Sequence, residues 1–400
     1  MPNKPYNIIE LEKILDYYIQ NKKFETPNRI FCNKVLAYSS QESFCFSTPW
    51  TISWQIISQC NLRCKHCFFE NNQDFYKGKE DLNIKLLQKL VKEIAKLGTV
   101  AVSITGGEPF LCKKIFDLLK ELKNNNIIIS IQTNATLIDK TIAQNLKDIL
   151  NPYTDFIQVS LDGSCPNIYD QIRGQGMYKK ALKGIEYLLN NELNLNINTT
   201  AVSINKDDLF NIYKLCNNLG IKKYSISKFL PYCKEQNFLN VNFSSLIKPL
   251  SKIIDISNQN FTFFEMNYKF YDFLKDEQVR RDLDKILNLK ENKFLIDNDI
   301  TCHKHNTLYI NSKGNIYLCF ACENEIGCLG KYPDKPLEEI WKNRKNNIFF
   351  KKRFAQNVAC VKCKYFNYCK SGCMGYAQKF YGDINAPDGY CEYAKLIKLI

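Results

Sequence analysis

No apolar run in the chain approaches the roughly 18 residues of a membrane span. Residues 1–30 lack the charged start, apolar core and small-residue cleavage site of a secretion signal. No zinc-finger spacing, RNA-recognition signature or regular basic–aromatic alternation accompanies the positive charge, and Gly174-Gln-Gly176 lacks the third glycine of a dinucleotide fingerprint. What is left is the composition of a soluble globular protein: 400 residues, 45% hydrophobic, 13% aromatic and 24% charged. That length holds a large core and suggests two or three domains. The net charge of +14 suits an acidic partner. Its densest patch, Lys342-Asn-Arg344-Lys345 continuing to Lys351-Lys352-Arg353, reads as a solvated helix face, so nucleic acid is not an expected partner. Cysteine is the residue in excess, with 18 copies. Without a secretion signal, disulfides explain them poorly; reduced, cytoplasmic, metal-bound thiolates are the better expectation.

The first cysteines form a hook, Cys60-Asn-Leu-Arg-Cys64-Lys-His-Cys67, at the end of the apolar run Trp54-Gln-Ile-Ile-Ser. Three thiolates on one loop can hold three irons of a [4Fe-4S] cubane, leaving the fourth iron open for chemistry. A structural zinc site is the bland rival, but it wants four closed ligands, and His66 sits awkwardly between two of the thiolates to be the fourth. From Thr51 onward, strand-like runs at 52–58, 100–105, 127–133, 156–161, 195–202 and 223–228 alternate with amphipathic helical patterns, the signal of a parallel sheet covered by helices. Six such units fall short of a closed eight-stranded barrel. Polar residues gather at the strand ends, where sites in parallel βα folds lie. Thr105-Gly106-Gly107-Glu108-Pro109 follows the second strand, Gln132-Thr133-Asn134 ends the third, and Val159-Ser160-Leu161-Asp162-Gly163 ends the fourth, with Arg173 a short helix later. Alternation puts Ser160 and Asp162 on one side of the strand, where they can bond a ribose or carboxylate. Taken singly, each has a plain structural alternative: a bare turn, a helix cap, a strand-end cap or a surface ion pair.

Together, the hook and these loops resemble the radical S-adenosylmethionine (radical SAM) enzymes. The resemblance implies an α/β fold, a partial (β/α)6 TIM-like barrel. It also implies a [4Fe-4S] cluster on Cys60, Cys64 and Cys67 whose open iron binds SAM, giving a 5′-deoxyadenosyl radical that takes hydrogen from a substrate. His66 occupies the family's aromatic position before the last cysteine. Gly106, Gly107 and Glu108 match the motif that contacts the methionine amino group, while Asn134, Ser160, Asp162 and Arg173 match further SAM contacts, with Arg173 facing the methionine carboxylate. Val202 is expected to cover adenine.

Beyond residue 300 the cysteines return as Cys302, Cys319, Cys360, Cys363, Cys369, Cys373 and Cys391. Soft sulfur ligands of this number suit zinc or iron–sulfur clusters. Behind a radical SAM hook, with Gly314 before Cys319 and Leu337-Glu-Glu-Ile-Trp341 between the two groups, the pattern resembles the SPASM extension. That resemblance implies a small cysteine-rich iron–sulfur domain with two auxiliary [4Fe-4S] clusters. Cys360, Cys363, Cys369 and Cys391 would hold the outer one; Cys302, Cys319 and Cys373 would hold the inner one, with an open iron or with Cys322 or Cys328 added. The expected domains are an extension at 1–50, the barrel at 51–235, a helical bridge at 236–299 and the SPASM domain at 300–400. In the extension, Ile8, Ile9, Leu11, Ile14, Leu15 and Tyr18 recur at helical spacing. The implied function is modification of a ribosomally made peptide or protein by crosslinking or side-chain oxidation, with electrons from a reduced flavodoxin- or ferredoxin-type donor. Formylglycine formation on a sulfatase, tetrapyrrole modification and a non-enzymatic iron–sulfur electron carrier are the alternatives. The first is weakened because Phe320-Ala321, not an acidic residue, follows Cys319.

Overall fold

The computed structural model describes residues 8–23, 47–68, 81–231, 234–257, 262–267, 277–289, 306–351, 358–366, 372–391 and 393–394. After helix α1 (Ile8–Lys23), strands and helices alternate: β1 (Thr51–Gln55), α2 (Ile84–Lys96), β2 (Ala101–Thr105), α3 (Ile115–Asn124), β3 (Ile128–Thr133), α4 (Lys140–Ile149), β4 (Phe156–Ser160), α5 (Pro166–Arg173), α6 (Met177–Asn190), β5 (Leu195–Ala201), α7 (Leu209–Asn218), β6 (Lys223–Lys228), α8 (Phe243–Ser257), β7 (Phe263–Asn267) and α9 (Glu277–Leu289). The helices form where the pattern asks for them. In α2, Leu87, Leu90, Val91 and Ile94 fall on one buried stripe, and Asn83 caps the helix by accepting from Leu86 N. Asp139 does the same for α4 through Ile142 N.

One sheet runs through the molecule in the order β10-β9-β8-β1-β2-β3-β4-β5-β6-β7. Strands β1 to β7 pair in parallel with their neighbours. On the other edge, β8 (Thr307–Ile310) pairs in parallel with β1, and β9 (Asn315–Tyr317) and β10 (Cys328–Lys331) continue antiparallel. Helices α10 (Leu337–Asn343) and α11 (Met374–Tyr381) follow. The fold is the expected α/β, mostly parallel type, with two differences from the sequence reading. The aromatic stretch read as helical contains β7: Thr262-Phe-Phe-Glu-Met is rich in strand formers, and Phe264, fully buried, packs against Tyr17, Tyr213 and Tyr224. Phe261, Tyr268, Phe270, Tyr271 and Phe273 lie outside the described residues. The second difference is at the other edge, where the first strand of the cysteine-rich region is hydrogen-bonded to β1 and so continues the barrel sheet.

Helix α1 forms over the N-terminal stretch read as amphipathic, although Ile9, one of the apolar positions named for it, is 66% exposed. Leu11 and Ile14 are buried in the main core, and the Tyr17 hydroxyl donates to Phe264 O. The strand expected at 52–58 ends at Gln55, because Ile56 to Gln59 leave the sheet to become the entrance to the hook; Ile56 N still bonds Thr105 O at 3.0 Å.

Candidate active site

Four pieces of the barrel mouth hold the cysteine hook. The turn after β2 grips its entrance, with Gly107 N donating to Ile57 O and Glu108 N to Gln59 O, both at 2.8 Å. A Cβ on Gly107 would sit 2.0 Å from Gln59 O, and one on Gly106 would sit 2.5 Å from Ile57 O, so only glycine allows this approach. The loop after β3 grips the middle: Asn134 Nδ2 donates to Asn61 Oδ1 at 3.0 Å, and Asn61 Nδ2 to Thr136 Oγ1 at 2.8 Å. Helix α5 takes Lys65 N on Ile172 O at 2.9 Å. Gln236 closes the far end, its amide donating to Lys65 O and Cys67 O at 3.1 Å each. Asn61 and Asn134 stood inside legible motifs. Gln236 carried no sequence signal, since it reaches the hook from 169 positions away.

Glu108 is 1% exposed. Its carboxylate accepts from Thr133 Oγ1 at 2.7 Å, Asn134 N at 2.9 Å and Phe110 N at 3.4 Å. Burial pushes its pKa up to about 7 against these bonds. The side chain is thus a brace between the ends of β2 and β3. Asp162 is 0% exposed and is the hub of a second brace. One oxygen accepts from His66 Nε2 at 2.7 Å and from Arg173 Nε; the other accepts from Thr200 N at 2.8 Å. Burial opposes its ionised form, but Arg173 and His66 outweigh it and hold the carboxyl well below its ordinary range. Asp162 thus bonds three protein groups, one on the hook, one on α5 and one on β5. Arg173 continues the chain of contacts, with Nη1 3.8 Å from Cys64 Sγ. Ser160, half-buried, lies beside Asn198 in the sheet register. Val202 is fully buried, packed with Ile172, Phe229 and Leu239.

The donor chemistry of the hook fits a cluster. Cys64 is buried, and that burial pushes its thiol up to about 12, with Arg173 pulling the other way. Burial raises Cys60 too. Such thiols stay neutral unless a cation meets them. Among the described residues, no three ligating side chains converge on a point as a single ion requires. A cubane gives each thiolate its own iron, and His66, the candidate fourth zinc ligand, is turned to Asp162 through Nε2.

In the C-terminal region Cys360 and Cys363 lie near enough to Cys391 to act on its thiol: burial first, then Asp388 and these two thiols, push Cys391 up to about 12. Cys319 and Cys373 both lie near enough to Tyr376 to act on its hydroxyl. Gly375 makes that possible, because a Cβ there would lie 2.4 Å from Ala321 O; α11 closes onto the 320–322 turn and carries Cys373 with it. Cys302 and Cys369 lie outside the described residues. Cys322 Sγ is 3.7 Å from Cys319 Sγ, whereas Cys328 turns its thiol to Gly330 O at 3.5 Å. The two cysteine systems face each other: Phe68, directly after Cys67, meets Phe320, directly after Cys319, edge to face at 6.2 Å. Lys379 lies 4.4 Å over the Phe68 ring.

A family model of the radical SAM superfamily matches residues 54–216, and one of an iron–sulfur cluster-binding SPASM domain matches residues 302–364. The chain belongs to the radical SAM superfamily and carries a SPASM domain. The probable GTP 3′,8-cyclase of Methanocaldococcus jannaschii is 32% identical over 234 residues, 56% of this chain and 74% of that protein. The AdoMet-dependent heme synthase of Methanosarcina barkeri is 22% identical over 87% of this chain and 97% of its own length. The cysteine-type anaerobic sulfatase-maturating enzyme of Clostridium perfringens is 27% identical over 79% of this chain and 86% of its own. Among solved structures, Streptococcus suis SuiB bound to precursor peptide SuiA superposes with a TM-score of 0.66 at 19% identity, covering 87% of this chain and 77% of that one. Among the described residues, no helix is long and apolar enough to cross a membrane.

Proposed function

We propose that this enzyme is a maturase that oxidatively modifies a ribosomally made peptide or protein, with Cys60, Cys64 and Cys67 as ligands of the radical-generating cluster and the downstream cysteines as ligands of two auxiliary clusters. The observation that carries the reading is the meeting of the two cysteine systems across Phe68, Phe320 and Lys379. A substrate held there lies between the hook and an electron acceptor, as an oxidation requires. The bound cluster and SAM supply one-electron chemistry that removes a hydrogen atom from the substrate.

The chain's own residues set the stage for that step. Asp162, His66 and Arg173 fix charge beneath the hook, and Glu108 with Asn134 and Asn61 fixes its loop. A guanidinium has five N–H donors, so Arg173 keeps donors for the methionine carboxylate after bonding Asp162. Phe320, 49% exposed beside Phe68, offers an apolar wall that shields a substrate side chain from water. The peptide substrate is favoured by similarity to the sulfatase-maturating enzyme and to SuiB, which is solved in complex with its precursor peptide. A reduced flavodoxin- or ferredoxin-type protein would deliver electrons, and the net charge of +14 suits such an acidic donor. Tetrapyrrole modification is the second reading, favoured by similarity to the heme synthase along nearly all of that enzyme's length.

The test is mass spectrometry after anaerobic co-expression with the short peptides encoded beside this gene. A peptide lighter by two hydrogens is expected. Active SAM cleavage with every peptide unaltered in mass and chirality, together with a porphyrin-binding difference spectrum, would favour the tetrapyrrole reading instead.

A further inference from the structure

The Asp162 brace has a consequence for Cys64 separate from any contact with SAM. Asp162 has no exposed surface, and both ends of it are tied down: Oδ1 accepts from Thr200 N at 2.8 Å, and its backbone carbonyl accepts from Asn205 Nδ2 at 3.1 Å. Its other oxygen holds Arg173 by Nε and His66 by Nε2. Fixing Nε fixes the guanidinium plane, and the plane aims Nη1 at Cys64 Sγ, 3.8 Å away, within reach of an N–H···S bond. The hook is bonded to the same helix, through Lys65 N on Ile172 O at 2.9 Å. Cys64 and Arg173 therefore share one frame, and Tyr169 lies under the guanidinium at 5.9 Å to complete the enclosure.

We propose that Arg173, anchored by Asp162, is a positioning residue for the cluster held by the hook, donating an N–H···S bond to the Cys64 sulfur and raising that cluster's reduction potential. The inference rests on the reading that Cys60, Cys64 and Cys67 hold a cluster. Hydrogen bonds to cluster sulfurs and a nearby fixed cation both favour the reduced, more negative state, and potentials respond to both. The role is additional to the carboxylate contact, because the Nε and Nη1 bonds leave other guanidinium donors unused.

The experiment is an EPR-monitored anaerobic redox titration of the reconstituted full-length protein without SAM, following the signal that disappears in the Cys60→Ala/Cys64→Ala/Cys67→Ala variant. Arg173→Gln should lower the reduced-to-oxidised ratio at fixed potential by about tenfold, which is 59 mV for a one-electron couple. Arg173→Lys keeps a charge against Asp162 and loses the planar fork, so its shift should fall between. The lysine variant decides the matter if the glutamine variant fails to take up iron. Potentials equal to wild type in Arg173→Lys, with only SAM affinity weakened, would confine Arg173 to the carboxylate and overturn the proposal. A titration in which the triple-cysteine variant loses no signal would instead remove the cluster assignment beneath it, and the proposal with it.

Discussion

At the scale of single residues, motifs single out side chains that the structure gathers around the hook, but not the protein partners each of them takes. Glu108, Asp162 and Arg173 stand out by motif, but a motif does not say whether a carboxylate faces a ligand or the protein. Here two carboxylates face inward, because each finds donors on neighbouring strand ends that are remote in sequence. Glu108 has a measurable signature. Its pKa rises from an ordinary 4.5 to about 7 through burial, so the folded chain holds this proton more tightly than the unfolded chain. The resulting stability is fully present below about pH 4.5 and is lost as pH climbs through 7. Glu108→Gln should flatten the fall in unfolding midpoint across that window. It should also lower overall stability by about 1–3 kcal/mol, because an amide N–H2 then opposes one of three donors. An unchanged pH slope in the variant would show that Glu108 is not the group responsible.

At the scale of elements, periodicity located the six strands β1 to β6 to within a few residues, because their apolar runs are bounded by clear turns. Strand β7 escaped for a physical reason: a short aromatic run has no decisive period, and its strand character comes from pairing with β6 and stacking on Tyr17. One of the four grips on the hook is an element junction, the turn after β2. Gly107→Ala would press a methyl group into Gln59 O, to 2.0 Å, and because the contact is backbone, no side chain can move aside. Overpacking of this kind costs about 1–3 kcal/mol. The expected result is reduced iron uptake at the hook, with helix content by circular dichroism near wild type; full iron uptake would mean that the turn does not hold the loop.

At the scale of the whole molecule, the chain is one continuous sheet with cysteine systems at the mouth of the barrel and on the hairpin edge beyond β8. Spacing announced both systems, but not that β8 would dock in parallel on β1, nor that Phe68 and Phe320 would bring the two systems face to face. Those are long-range pairings with no local signal. Their arrangement makes the central claim a matter of counting. Iron content and SAM cleavage in the anaerobically reconstituted chain, measured beside the Cys60→Ala/Cys64→Ala/Cys67→Ala variant, test it most directly. Three cubanes predict about twelve irons and active cleavage in the wild type, and about eight irons with no cleavage in the variant. Far fewer than twelve irons in the wild type, or cleavage undiminished in the variant, would contradict the account.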